Sequence, residues 1–590
     1  MVTSTVTGAG GGKPFPSLRK ENIVAGPGFN RWRVPPASIA IHLCIGSVYA
    51  WSIFNPPLTR ELGVVGSAAG DWSLSSVVWI FSVAIVSLGL AAAIAGKWLE
   101  EVGPRMVGIV AALCWGGGFI IGGLGIMWHQ LWLVYLGYGV IGGIGLGLGY
   151  VSPVSTLIRW FPDRRGMATG MAIMGFGGGA IIGTPLIGWL LSLFAKAPTF
   201  LGAEGAIELV TEGGRRFAEV NGQRIEAVIA TAKDVASFPG AEAGVYAVGT
   251  GNTGAAGTFF TLGIGYFIVM MIAAFAYRVP AADWKPEGWT PPPAKASGMI
   301  TRANVHINEA IKTPQFWLLW IVLCFNVTAG IGVIGVAKTM MSEIFGSTLP
   351  TIVSASFASF YVLMISIFNM VGRFFWASIS DYIGRKSTYA IFTGLGVLLY
   401  LSIPFAASAV SASPAAVYLV MFYAATMVIF TMYGGGFATI PAYLADMFGT
   451  MHVGGIHGRL LTAWSLAGVL GPVAITWLRD ISKNDAIANL ASSIDPAAFA
   501  EKFGAPVEQL RELVAANTVT VGKLMEIAPA GTIDPTPSLY NTTMYAMAAL
   551  LVIAFIANLL VKPVHESHYV ENTHPAEAPQ IKHAGAVPAE

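Results

Sequence analysis

Twelve apolar stretches, at roughly 36–57, 74–97, 106–127, 131–156, 166–194, 257–278, 314–337, 351–376, 387–408, 415–440, 459–478 and 541–561, leave this chain one way to fold. Each is long enough to cross the ~30 Å hydrocarbon core of a bilayer as a helix, and in water none could hide its surface all round. The charged fraction of 11% agrees, against about 25% in soluble domains. The expected fold is an all-α membrane protein of twelve transmembrane helices. A net charge of +2 gives no reason to invoke nucleic acid. Cys44, Cys114 and Cys324 all fall in apolar runs and read as small packing residues.

Six spans precede a polar connector, 279–313, and six follow it. The expected divisions are a tail at 1–35, a first half at 36–278, the connector, a second half at 314–561 and a tail at 562–590. Arg164, Arg165, Lys97, Arg105, Arg385 and Lys386 collect on one side of the membrane with the connector and both tails, whereas the other side has little beyond Arg60 and Lys338. The positive-inside rule then makes both termini cytoplasmic. Two insertions, 195–256 and 479–540, fall at matching places on the opposite side. Alternating residues around Asn221-Gly222 suggest a β-hairpin in the first, and DPAAFAEKFG and PVEQLRELVAA read as short helices in the second. Poorly ordered loops are the other reading of both.

The glycines of GYGVIGGIGLGLGY (137–150) do not make a phosphate loop, since no Lys-Ser/Thr follows them. Gly139, Gly143 and Gly147 share one helical face, as do Gly175, Gly179 and Gly183, and each set predicts close helix packing. GAIIGTPLIG (179–188) and AGVLGPVAI (467–475) predict kinked, closely packed helices in spans five and eleven.

The halves also repeat. GKWLEEVGPR (96–105) follows span two and ASISDYIGRK (377–386) follows span eight, aligning Gly103 with Gly384, Glu100 with Asp381 and Arg105 with Lys386. The pattern G-x-x-x-[DE]-x-x-G-x-[RK] resembles the one between spans two and three of the major facilitator superfamily, although Pro104 and Ala377 depart from it. Glu100, Arg105, Asp381, Arg385 and Lys386 are then candidate gating residues, a charged latch that breaks when the halves rock. A turn flanked by anchoring charges is the plainer alternative. GSVYAWSIFNPPL (46–58), YVSPVSTLIRWFPDRRGMATG (150–170) and YLADMFG (443–449) look like the oxalate/formate antiporter family, which is related to the monocarboxylate transporters. The glycine-proline segments loosely resemble an antiporter motif.

One residue resists the apolar pattern. Arg373 lies eight residues before Asp381, about 12 Å along a helix, near the middle of the membrane. Such a charge costs at least about 2.5 kcal/mol, and no aspartate or glutamate occurs at comparable depth to neutralise it. The anion it awaits is most simply a carboxylate substrate, which a guanidinium grips with two parallel hydrogen bonds; a structural arginine satisfied by carbonyls and water is the alternative. The resemblance implies the same, since an arginine in span eight is the family's anion-binding residue.

The family's oxalate transporter adds a lysine in span eleven. The matching position here is Trp464, and a single cation suits a monoanion. Proton-coupled relatives carry an aspartate where this chain has Asn369, one turn from the arginine. His42 in span one is the remaining candidate for a coupling proton, or else a packed polar residue. Tyr49, Trp51, Tyr150, Tyr433 and Trp464 are candidates to line the cavity. The expected function is transport of a small monocarboxylate (formate, pyruvate, lactate or similar) by alternating access, with exchange favoured by the scarcity of titratable groups. Rival readings are a dicarboxylate antiporter using Arg459 as well, a proton symporter working through His42, and a carboxylate sensor. No cluster suggests an enzyme, a metal site or a cofactor. The expected setting is the cell's inner (plasma) membrane, which the chain crosses many times, as a monomer with a small organic anion and lipid as partners.

Overall fold

The computed structural model describes residues 18–570, apart from 19, 73, 213–214, 221, 231–234, 236–237, 239, 282–283, 290–298, 302, 504–505, 516–518 and 520. Most of both expected tails, part of the connector and Asn221 therefore lie outside the described residues. Among the described residues, twelve helices are long and apolar enough to cross a membrane. Spans one to six are Arg31–Trp51, Ser76–Gly96, Pro104–Met127, Leu131–Trp160, Arg165–Phe194 and Ala255–Ala276; spans seven to twelve are Pro314–Ile334, Phe360–Ile383, Arg385–Ala412, Ala416–Phe448, Val453–Ser493 and Thr536–Leu560.

Boundaries differ from expectation where polar residues belong to a helix. Span eight continues through Asp381 to Ile383, and span ten continues to Phe448. Span eleven begins at Val453 rather than 459, breaks at Leu461 and runs on to Ser493, so the expected second insertion begins as helix. Hydropathy marks only the stretch facing lipid, and these ends are satisfied by protein instead.

The halves are arranged alike. Span three packs on span six as nine does on twelve, and one on five as seven does on eleven. Between the halves, five meets eight and two meets eleven. Gly103 and Gly384 occupy equivalent turns with φ of 87° and 86°, a conformation that costs glycine little and other residues more. The small faces pack as expected: a Cβ on Gly143 would lie 2.6 Å from the Ala84 carbonyl of span two, and one on Gly179 2.6 Å from the Leu43 carbonyl of span one.

The repeated acids hold the halves together at one face, here called the latch face. Asp381 accepts from the backbone N–H groups of Gly166 (2.9 Å) and Met167 (3.0 Å), placing a carboxylate at the start of span five in the other half. Its counterpart Glu100 meets His452 at the start of span eleven, at 3.1 Å. Arg385 pairs with Asp381 at 2.6 Å and with Asp446 at 2.9 Å, and Arg165 crosses from the first half to Asp446 at 3.0 Å. The repeated bases do something else. Arg105 donates to the carbonyls of Phe275 and Tyr277 at the end of span six, and Lys386 to those of Leu559 and Val561 at the end of span twelve. Both cap a helix C-terminus within their own half, so the crossing contacts run through Arg165, Asp446 and His452, which the repeat did not single out.

On the opposite face, the first insertion holds a five-stranded antiparallel sheet. Its strands are β1 (Phe200–Gly202), β2 (Leu209–Glu212), β3 (Arg215–Val220), β4 (Gln223–Ala230) and β5 (Gly244–Ala247), in the order β1-β5-β4-β3-β2. The hairpin is β3–β4, with Val220 opposite Gln223. Val64 and Val65, beyond span one, pack against Val228 and Tyr246 of the sheet. In the second insertion, helices Pro496–Phe503 and Val521–Met525 bury Phe499 and Leu524 against Ile487 and Leu490 at the far end of span eleven. Glu61 lies where the loop after span one meets the residue preceding span six, accepting a hydrogen bond from Thr253. Burial, reinforced by neighbouring Asp71, pushes its carboxyl up to about 7.

Two outcomes follow. With the native cysteines replaced, Asp381→Asn should increase maleimide labelling of a Ser155→Cys reporter, buried at the latch face against Gly454 of the other half, several-fold; an unchanged rate would mean the acid does not hold the halves. A carboxyl held above its ordinary value of ~4.3 stabilises the fold at low pH and loses that contribution as pH rises towards 7. Limited proteolysis of the sheet insertion should therefore quicken between about pH 5 and pH 8, and Glu61→Gln should flatten the rise.

Candidate functional site

Arg373 is fully buried where span eight faces span five, two to three turns from the latch acids. Its Nε donates to Asn369 Oδ1 at 3.0 Å, one turn earlier on the same helix, and Nη1 reaches the Ile173 carbonyl of span five at 3.4 Å. The guanidinium carbon lies 5.4 Å from the ring centre of Phe176 and 5.3 Å from that of Phe437. Nη2 has no hydrogen-bond partner. Among the described residues no carboxylate pairs with it; Asp381, the nearest acid along its own helix, is engaged at the latch. Ring faces and neutral acceptors offset part of the cost of the buried cation, and one N–H edge stays unused. Gly177 admits this geometry, since a Cβ there would lie 3.0 Å from Arg373 Nε.

Around the guanidinium the two halves contribute a box of aromatic rings. Tyr49 lies where the helix of span one gives way to a 3₁₀ segment, Ser47–Ile53. Its hydroxyl is 3.3 Å from that of Tyr433 across the halves, and its ring stands edge-on to Phe176 at 5.1 Å. Tyr150 lies 5.4 Å from Phe176 and 5.3 Å from Trp464, which itself lies 4.5 Å from Phe437. Tyr433 packs on Phe437 at 5.3 Å. Tyr49 and Tyr150 both interact electrostatically with the guanidinium. Trp464 Nε1 and Arg373 Nη2 are buried without a partner at hydrogen-bond geometry, and the Tyr150 hydroxyl interacts with the guanidinium without closing a full hydrogen bond to it. Three polar groups on spans four, eight and eleven thus meet in one neighbourhood with hydrogen-bonding capacity to spare, which buried polar groups seldom keep.

Of the residues singled out from the sequence, Arg373, Asn369, Tyr49, Tyr150, Tyr433 and Trp464 come together here. Trp51 does not. It packs, tilted, on Tyr138 at 4.5 Å and against Phe54 and Phe259 inside the first half, because residues two apart on a helix point to nearly opposite faces. Arg459 is also elsewhere: its guanidinium donates to the Ile307 carbonyl at 2.9 Å and to Asn308 Oδ1 at 2.8 Å, at the connector. Phe176 and Phe437 were missed, and nothing in the sequence distinguishes them among 32 phenylalanines. His457 was missed because span eleven was expected to start two residues later; it is buried, 5.9 Å from the Tyr150 ring. His42 is buried too, 5.3 Å from the same ring. Among the described residues no three His, Cys, Asp or Glu side chains are placed to hold a metal ion.

The family model described as "Major Facilitator Superfamily" matches residues 37–203 and 243–478. The chain is 25% identical to the oxalate:formate antiporter of Oxalobacter formigenes, over 75% of this chain and 83% of that protein. It is 22% identical to apicoplast pyruvate carrier 1 of Toxoplasma gondii, over 74% and 81%. Over a shorter segment, 31% of this chain and 37% of the other, it is 27% identical to human monocarboxylate transporter 11. Among solved structures, the superfamily transporter FucP of E. coli in its outward conformation superimposes with a TM-score of 0.50 at 12% identity, covering 91% of this chain and all of that one, a likeness of fold. With twelve spans in two matching halves, an integral membrane setting and these relatives, the chain belongs to the Major Facilitator Superfamily of transporters.

Proposed function

We propose that the protein carries a small monocarboxylate across the membrane by alternating access, exchanging one anion for another. The observation that supports this most is the buried guanidinium of Arg373, with no carboxylate partner and its Nη2 edge unused. A carboxylate bound there would take up the free N–H, neutralise the charge in a low-dielectric site and meet Tyr150 Oη and Trp464 Nε1 as further donors. Asn369 holds Nε and so orients the fork. A box with one cation matches a monoanion. The dicarboxylate reading needs a second cation, and Arg459 is committed to the connector instead. The relatives' names, which mention oxalate, formate and pyruvate, support a small carboxylate as the class.

The binding residues sit on both halves, so occupancy is felt by both, and release towards the latch face requires the pairs around Asp381 and Asp446 to part. We place that face in the cytoplasm, where the positive-inside rule puts its Arg and Lys residues, and the protein in an inner (plasma) membrane.

The test is counterflow of labelled formate, pyruvate, lactate and oxalate in proteoliposomes. Wild type should exchange a monocarboxylate in preference to oxalate, and Arg373→Gln should lose the exchange. Arg373→Lys should recover little, because an ammonium cannot offer the planar fork; a charged hydrogen bond of about 1.5–3 kcal/mol corresponds to roughly 10- to 150-fold in affinity. Preferential oxalate exchange would overturn the one-cation reading, and binding without counterflow would make the protein a sensor. Trp464→Lys, adding a second cation beside Tyr150, should shift preference towards oxalate, read as the ratio of oxalate to formate counterflow.

A further inference from the structure

His42 is fully buried in span one, and both of its ring nitrogens face backbone carbonyls: Nδ1 that of Ala172 in span five, and Nε2 that of Tyr150 in span four at 3.2 Å. A neutral imidazole has a single N–H, so one nitrogen would then present its lone pair to a carbonyl oxygen. Only the imidazolium, with two N–H donors, satisfies both acceptors. The two carbonyls therefore offer an imidazolium an acceptor for each of its N–H groups. A charge so far from water is costly in itself, and the other buried cation, Arg373, which interacts with His42 electrostatically, adds to that cost.

The groups that face His42 can be named. Tyr150 comes from span four, Arg373 from span eight, and His457 from span eleven, which interacts electrostatically with His42 across the halves. Span five contributes Phe176 and has no ionisable residue after Arg165, while Tyr266 of span six lies against Trp115 and Phe119. Spans one, four and five contain no aspartate or glutamate. Among the described residues, none of the groups facing His42 therefore supplies a counter-charge for a second buried cation, and a bound anion would.

We propose that His42 is a proton-binding site linked to the substrate site: a carboxylate on Arg373 and a proton on His42 favour one another, and the loaded carrier holds both. This rests on the carboxylate reading above. The bound anion removes the repulsion from Arg373, and a proton from bulk water adds to the free ring nitrogen, leaving anion, guanidinium and imidazolium with a net charge of +1, the same as the empty site. His457 lies on the latch-face side of Tyr150, with Nε2 buried and unpartnered, and is the group through which such a proton would pass to and from that face. In anion-for-anion exchange the proton crosses with the anion in each direction, so no net proton moves. Net flux must return an empty carrier and so moves the proton with the anion.

The experiment measures protons taken up per anion bound, with a pH indicator in weakly buffered detergent solution, as formate or pyruvate is added to the purified protein. Both acids are fully ionised between about pH 5 and pH 8, so protons taken up come to the protein. Wild type should take up close to one proton per bound anion in part of that range, and the apparent Kd should rise with pH there, up to about tenfold per unit by reciprocity. His42→Gln, or His42→Asn should the first not fold, should bind with no proton uptake and a Kd independent of pH. Binding by wild type without proton uptake throughout the range overturns the link. Uptake that persists in the His42 variants and disappears in His457→Gln overturns the assignment to His42. If neither acid nor lactate nor oxalate binds, the carboxylate reading itself falls and the link falls with it.

Discussion

A buried guanidinium, with an N–H edge left over and, among the described residues, no carboxylate paired with it, is the constraint around which the rest is arranged. Burying Arg373 costs several kcal/mol unless something repays it, and the protein repays only part, with Asn369, the Ile173 carbonyl and the faces of Phe176 and Phe437. A site left unsatisfied in this way is a poor structural device and a good receptor for an anion. Two more polar atoms with hydrogen-bonding capacity to spare in the same box, Tyr150 Oη and Trp464 Nε1, point the same way.

The same helix carries the site and the latch. Arg373, Ala377 and Asp381 lie four residues apart along one face of span eight, and that face meets the glycines of span five: Gly177 against Arg373, Gly170 against Ala377, Gly166 against Asp381. About 12 Å of continuous helix separates the cation from the latch acid, so span eight cannot shift at one without shifting at the other. Small residues on span five allow the backbones to approach closely enough for Asp381 to reach two N–H groups of a helix in the opposite half. A contact made of few, directional, charge-assisted bonds opens as a unit, which suits a gate better than a broad apolar seam would.

The internal repeat explains both the resemblance of the halves and its limits. Gly103 and Gly384 adopt the same unusual conformation, the two acids each reach the start of a helix across the interface, and the two bases each cap a helix end within their own half. The central site is not repeated. His42 and Tyr49 come from span one in the first half, and Arg373 and Asn369 from span eight in the second. An asymmetric ligand site within a pseudo-symmetric frame can be reached from either side as the halves exchange contacts.

Twelve spans, two halves, the turn glycines and the isolated arginine were legible in the chain because each is written in local composition or in spacing along one helix. Hydropathy placed the spans within a few residues, and a charge in the middle of an apolar run stands out without any structure. Span ends at Asp381, Phe448 and Val453 were not legible, since a helix can continue past its lipid-facing part wherever another segment satisfies its polar groups. Nor could the sequence separate Tyr49 from Trp51, two residues apart, or pick Phe176, Phe437 and His457 from many like them. Their roles depend on which face of a helix meets which neighbour. The sequence by itself determined that a cation would be buried in the membrane; only the tertiary structure decided which rings, carbonyls and unpaired N–H groups share its volume, because that depends on the packing of six helices drawn from both halves.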